Sequence, residues 1–205
     1  MTPQQKETTM RDPNENGWKS SAPNWIKRMG DEGDFSREFL LDAPMLKQVE
    51  LAQPLTELDV GCGEGRFCRM MSGMGISATG MDPITAMIDA TRARDPQGDY
   101  HIGFAEDLPF EDSSFDLVVS YLTLIDIDDP AAAIAQMVRV LRPNGRLLIA
   151  NLSSFATSYL AQGNRICRDT GEDIRPLGDY LNIHKISVDL GGLVRRTGTD
   201  HCHST

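Results

Sequence analysis

No stretch of the 205-residue chain approaches the roughly 20 consecutive apolar residues of a bilayer-spanning helix, so no membrane role is expected. The first segment, Met1 to Asn16, is polar and lacks the apolar core of a secretory signal. Cysteine is scarce. Cys62, Cys68, Cys167 and Cys202 fall at irregular spacings that match neither a disulfide framework nor a paired zinc knuckle. A reducing, cytoplasmic setting is the expectation. Positive charge is in deficit: 20 Lys and Arg face 30 Asp and Glu, for a net charge of −10. Binding to nucleic acid rests on neutralising phosphates with Lys and Arg, so this balance disfavours DNA, RNA and anionic membranes as partners unless a local basic patch survives. No internal repeat or low-complexity tract is visible.

What is present suits one soluble domain, with 40% hydrophobic and 24% charged residues. Residues 1–16 read as a flexible arm, rich in Gln, Thr, Asn, Asp and Pro. Residues 17–54 read as a helical lid of one or two short amphipathic helices. Trp18, Trp25 and Phe35 fit either a substrate lid or the apolar face of a helix covering a sheet. Residues 55–152 alternate strand and helix patterns. Strands are expected at Leu55 to Val60, Ile76 to Met81, Tyr100 to Ile102, Phe115 to Ser120 and Arg146 to Ala150. Helices are expected at Arg66 to Met74, at Ile84 to Arg94 and after Asp129-Pro130, where Asp caps and Pro fills the first turn. Pro143-Asn144-Gly145 reads as a turn into the fifth strand. Such alternation implies a doubly wound, Rossmann-like α/β fold with a parallel sheet and right-handed crossovers. Residues 153–205 read as a partial substrate-side insertion and an atypical tail.

The chemistry concentrates between the first strand and the helix after it, in Leu58-Asp59-Val60-Gly61-Cys62-Gly63-Glu64-Gly65. Ligands of open parallel sheets bind beyond the carboxyl ends of the strands. Glycine there admits backbone to a ligand without a Cβ in the way. The helix that follows offers free N–H groups and a positive dipole end. Asp59 stands near the end of the first strand and Asp82 at the end of the second, where a carboxylate can accept hydrogen bonds from both hydroxyls of a ribose. The nicotinamide-dinucleotide fingerprint would require Gly at position 66, which is Arg66.

LDVGCGEGRF (Leu58 to Phe67), GMDP (Gly80 to Pro83), AEDLPFEDSSFDLVVS (Ala105 to Ser120) and VLRPNGRLLIANL (Val140 to Leu152) together resemble the motifs of class I S-adenosylmethionine-dependent methyltransferases. Within that family the likeness is to the small-molecule branch that includes ubiquinone- and menaquinone-type enzymes. The resemblance implies S-adenosyl-L-methionine as cofactor and a small-molecule methyl acceptor as partner. It implies that Gly61, Cys62, Gly63 and Gly65 flank the methionine half and ribose, and that Asp82 holds the ribose. Met81 or Pro83 would pack on the adenine. Glu106 and Asp107 would meet the adenine edge, one by side chain and one by backbone. Ser120 and Tyr121 would line the opening beside the methyl group, and Asp59 would orient the loop or the cofactor's ammonium through water.

Other residues carry structural readings. Cys62 reads as a small filler, Cys68 as core, His101 as structural and Arg37 as a solvated charge. Asp126, Asp128 and Asp129 resemble a metal cluster at a glance, but Asp129 is better explained as a helix cap, and no metal is expected. No catalytic base is identified. Relatives complete the fold with a further helix and two strands. Here the resemblance stops at Arg195 to Cys202, where relatives carry Asn-Trp-His-Arg-Pro-Leu. Codons for Thr197 to Cys202, read one base out of frame, permit that stretch, so a truncated or frameshifted ending is expected. The expected function is methyl transfer to a small molecule; the alternative is a cofactor-binding but inactive remnant or interaction module.

Overall fold

The computed structural model describes residues 17–152, together with the backbone of four short strands further on, Arg165–Ile166, Asp173–Ile174, Ile186–Asp189 and Val194–Thr197. Two helices lead in, α1 (Trp18–Met29) and α2 (Asp42–Ala52), joined through a π-helical turn at Arg37–Leu41. The central layer then alternates β1 (Thr56–Val60), α3 (Arg66–Gly73), β2 (Ser77–Asp82), α4 (Thr85–Arg94), β3 (Asp99–Ile102), β4 (Phe115–Tyr121), α5 (Pro130–Val140) and β5 (Leu141–Ala150).

The five strands form one parallel sheet in the order β3-β2-β1-β4-β5. Crossovers through α3 and α4 step outward in one direction and the crossover through α5 steps in the other. The helices therefore cover opposite faces, as right-handed connections require. Alternation along the strands divides the core accordingly. Leu58, Val60, Val118 and Phe115 pack with Met137 and Val140 of α5. Leu117, Val119 and Tyr121 pack with Phe67 and Met71 of α3 and Val49 of α2. Chain direction reverses its progress across the sheet between β1 and β4, and the carboxyl ends of those strands open a crevice there. The expected α/β class and doubly wound layer are what the chain forms.

Local chemistry sets the boundaries. Asp129 caps α5 by accepting the Ala132 N–H at 3.0 Å, with Pro130 in the first turn. Gly65, at φ +74°, precedes α3. The Pro143-Asn144-Gly145 turn does not separate β5 from what precedes it. Leu141 pairs with Phe115 and Arg146 with Leu117, so the turn is carried inside the ladder as a wide bulge. Asn144 takes φ +68°, and a Cβ on Gly145 would lie 2.9 Å from the Arg142 carbonyl oxygen. The chain loops out and rejoins its register.

Among the described residues β5 pairs only with β4, and no helix is long and apolar enough to cross a membrane. The expectations for an aberrant ending and a missing final helix and strands lie outside the described residues, as does the mobile-arm reading of 1–16.

Candidate functional site

A cleft opens at the carboxyl ends of β1, β2 and β4. Its floor is the turn after β1. There the N–H groups of Gly61 and Cys62 both donate to the Met81 carbonyl oxygen, at 2.7 and 3.0 Å, which binds the turn to β2. Gly61 sits at φ +81°, and a Cβ on it would fall 2.1 Å from Thr123 Cγ2. Only glycine satisfies both that backbone and that approach. Gly65 meets Thr91 of α4 in the same way, at 2.4 Å. Gly63, at φ +56°, has open space on its Cβ side and lines the cleft.

Asp82 ends β2 and is buried. Its Oδ1 accepts the Ile84 N–H at 2.8 Å and its Oδ2 the Gly63 N–H at 3.1 Å. Those bonds orient the carboxylate and leave each oxygen a further lone pair. Burial raises its pKa to about 6, opposed by the two backbone hydrogen bonds. Asp59, one strand over, is also buried. Cys68 donates its S–H to Asp59 Oδ2 at 3.8 Å, while Oδ1 has no hydrogen-bond partner. Desolvation lifts this carboxyl to about 7. A buried acceptor without a donor is costly, and this one lies in the wall of the cleft.

The N-terminal helices roof the site. Ala22 of α1 packs on Ile84 and Met87, and Trp18 meets Trp25 edge to face at 5.1 Å. Asp42, at the start of α2, is reached by Arg66 of α3 with both terminal nitrogens, Nη1–Oδ1 at 3.0 Å and Nη2–Oδ2 in close contact. The Tyr121 hydroxyl donates to the same Asp42 Oδ1 at 2.9 Å. Burial, then this bond, raises the tyrosine pKa. Arg37 lies between two rings, its guanidinium carbon 5.3 Å from the Trp25 centroid and 5.6 Å from that of Tyr121.

Of the expected site residues, Asp59, Gly61, Cys62, Gly63, Met81, Asp82, Pro83, Glu106 and Tyr121 line the cleft. Gly65, Asp107 and Ser120 do not. Gly65 serves the α3–α4 contact, Asp107 is exposed, and Ser120 is fully buried on the α5 side of β4. Trp18 and Trp25 line the cleft, whereas Phe35 faces outward with 69% of its surface exposed. The wall also includes Glu64, Arg66, Phe67, Thr123 and Arg37, which sequence reading did not nominate. Arg37 is not solvated as expected: its side chain is 14% exposed. The π-helical turn it opens adds a residue to the helical repeat and changes which side chains face inward. Asp42 and Arg66 gave no signal because their partners lie 24 residues apart.

A glycine turn packed on one strand, with an oriented acid at the end of the next, marks a Rossmann-like domain with a cleft at its strand ends. Residues 58–149 match the family model described as a methyltransferase domain. The chain is 34% identical over 119 residues to an uncharacterised methyltransferase of Mycobacterium bovis, covering 58% of this chain and 49% of that one. It is 34% identical over 96 residues to demethylmenaquinone methyltransferase of Renibacterium salmoninarum, covering 47% and 40%. A solved S-adenosylmethionine-dependent methyltransferase from Mesorhizobium loti is 25% identical, with a TM-score of 0.67, covering 82% of this chain and 76% of that chain. Residues 58–149 thus resemble a methyltransferase domain, and the chain is similar in fold to a solved S-adenosylmethionine-dependent methyltransferase. The chain spans about half the length of the curated relatives it matches.

Proposed function

We propose that this protein transfers a methyl group from S-adenosylmethionine to a small-molecule acceptor. The observation that carries the reading is the joined Asp82 and Gly63, an acid whose spare lone pairs and a glycine whose open side both face one cleft. The residues fit the cofactor: Asp82 for two ribose hydroxyls, the Gly61–Gly63 backbone for close approach, Met81 or Pro83 for the flat base, and Glu106 for its polar edge.

When bound, S-adenosylmethionine supplies a methyl group already activated on a sulfonium. The chain's own part is to bind, align and exclude water. Proximity of this kind accounts for several kcal/mol of barrier lowering, roughly 7–11 in well-aligned systems. Trp18, Trp25 and Met29 of α1 roof the cleft and keep it dry, which strengthens the electrostatic interactions inside it. Tyr121, held by Asp42, borders the reacting end. An acceptor that must lose a proton would also need a base, and none is assigned.

A small acceptor is favoured by the roofed cleft, by the acidic balance of the chain, and by likeness to a relative named for demethylmenaquinone. The test is release of S-adenosylhomocysteine with full-length protein across a panel of quinols, phenols, carboxylic acids and amines. Turnover on one class supports the reading. Tight binding of S-adenosylhomocysteine with no product from any class would favour an inactive remnant instead.

A further inference from the structure

Among the described residues two cations line the cleft, and each is already paired, Arg66 with Asp42 and Arg37 with Asp34. Six carboxylates line it with them: Asp59, Glu64, Asp82, Glu106, Asp126 and Asp128. S-adenosylmethionine, carrying a sulfonium, an ammonium and a carboxylate, offsets part of this excess with one net positive charge. Asp82, Glu106 and Asp59 answer to its ribose, base and ammonium. Glu64, Asp126 and Asp128 are left over.

Glu64 carries the most weight. The residue is 4% exposed and lines the cleft. Its backbone carbonyl accepts from Arg69, but its carboxylate has no hydrogen-bond or ion-pair partner among the described residues. A buried charge in that condition is costly until something completes it. Glu64 and Asp126 both lie close enough to Asp82 to push its pKa up, so the two acids belong to one region of the cleft. The roof above also accepts positive charge. The Arg37 guanidinium already rests over the rings of Trp25 and Tyr121, and Trp18 adds a second indole beside Trp25.

We propose that the methyl acceptor is an amine, held as a cation by the carboxylates of Glu64 and Asp126 beneath the Trp18–Trp25 pair. The inference rests on the methyl-transfer reading and narrows its acceptor class. An amine bound as its ammonium releases that proton to solvent before the step. The nitrogen lone pair then forms the N–C bond, and the C–S bond breaks with its electron pair leaving on sulfur. The products are S-adenosylhomocysteine and a methylated ammonium. Positive charge moves from sulfur to nitrogen within the same acidic wall, whereas a carboxylate or phenolate acceptor would enter against that wall. Fixed carboxylates where positive charge arrives lower the barrier.

The test uses full-length protein saturated with S-adenosylhomocysteine and two probes in calorimetry, choline and 3,3-dimethylbutan-1-ol. The second has the same shape with carbon in place of the charged nitrogen. Choline is expected to bind about 10-fold tighter, in keeping with ring and carboxylate contacts to a partly desolvated cation. Glu64→Gln and Asp126→Asn should each cut that preference to about threefold or less, and Glu64→Asp should keep most of it. Each variant should bind S-adenosylhomocysteine within about threefold of wild type, with thermal melting as the check on folding. In the acceptor panel, turnover is expected with amines. Equal affinity for the two probes, no binding of choline, or turnover confined to phenols, quinols or carboxylic acids would overturn the proposal. So would a Glu64→Gln protein that loses affinity for S-adenosylhomocysteine, since Glu64 would then belong to the cofactor. A choline preference with no turnover of any class would sink the methyl-transfer reading and leave the cation site standing.

Discussion

Glu57 provides a sharp test of how β1 is stabilised. It sits on the same strand face as Asp59, is fully buried, and neither carboxylate oxygen has a hydrogen-bond partner. Burial, and then the nearby Asp59, pushes its pKa well above the ordinary value of 4.5. The folded group keeps a proton that the unfolded one releases, at a cost of about 1.36 kcal/mol for each pH interval between the two titrations, so its contribution to stability falls as pH rises above about 4.5. Glu57→Leu, similar in volume, removes both the titration and the unpaired polar atoms. It should raise stability at pH 7 by about 1–3 kcal/mol, the cost of a buried polar group without a partner, and by less at pH 5. For a chain of this size that is a melting shift of roughly 2–12 °C at pH 7. Glu57→Gln, which cannot ionise, should flatten the pH dependence without removing the polar atoms. Urea unfolding followed by tryptophan fluorescence at pH 5, 6 and 7 measures all three proteins. A Glu57→Leu variant less stable than wild type at pH 7, or a difference that does not change with pH, would refute the reasoning.

Three further outcomes are expected. Asp82→Asn should weaken S-adenosylhomocysteine binding by about 10- to 100-fold in calorimetry, since the oriented charge is lost, and unchanged affinity would remove Asp82 from the site. Asp59 and Asp82 titrate near 7 and 6 in the folded protein, and a cationic ligand favours their ionised forms. Affinity for S-adenosylmethionine should therefore rise with pH from 5.5 to about 7.5 and then level, whereas a flat profile would contradict both roles. Asp42→Ala leaves the buried Arg66 guanidinium and the Tyr121 hydroxyl without their acceptor, which should destabilise the protein by about 3–5 kcal/mol in denaturant unfolding; a loss below 1 kcal/mol would show that the roof is not held by this network.

Asp42 and Arg37 also explain why the roof belongs to the site. Without the N-terminal segment the cleft would be an open groove at the sheet's edge of strand ends, and charges inside it would face bulk water. With the segment in place, one carboxylate joins α2 to α3 and β4, and one guanidinium is stacked on residues of α1 and β4. The shape and dryness of the cleft then depend on helices that carry none of the four motifs.

What could be read along the chain was whatever physics keeps local. Strand and helix periods, the cap at Asp129, the left-handed glycines of the loop and an acid at the end of β2 are each determined within a few residues, so the sheet, the crevice and Asp82 were legible in advance. Glu57 was not, because its burial without a partner depends on α3 packing over β1. Arg37 read as a surface charge, since only the π-helical turn brings it between Trp25 and Tyr121. Arg66 was noticed for not being glycine, and the fold gives it a role by placing Asp42 opposite. The turn at Pro143-Asn144-Gly145 was legible, but that Leu141 before it also pairs with β4 was not, because that contact is made by a strand distant in sequence. Backbone conformation is set by neighbours in sequence, while the ionisation and pairing of a side chain are set by neighbours in space.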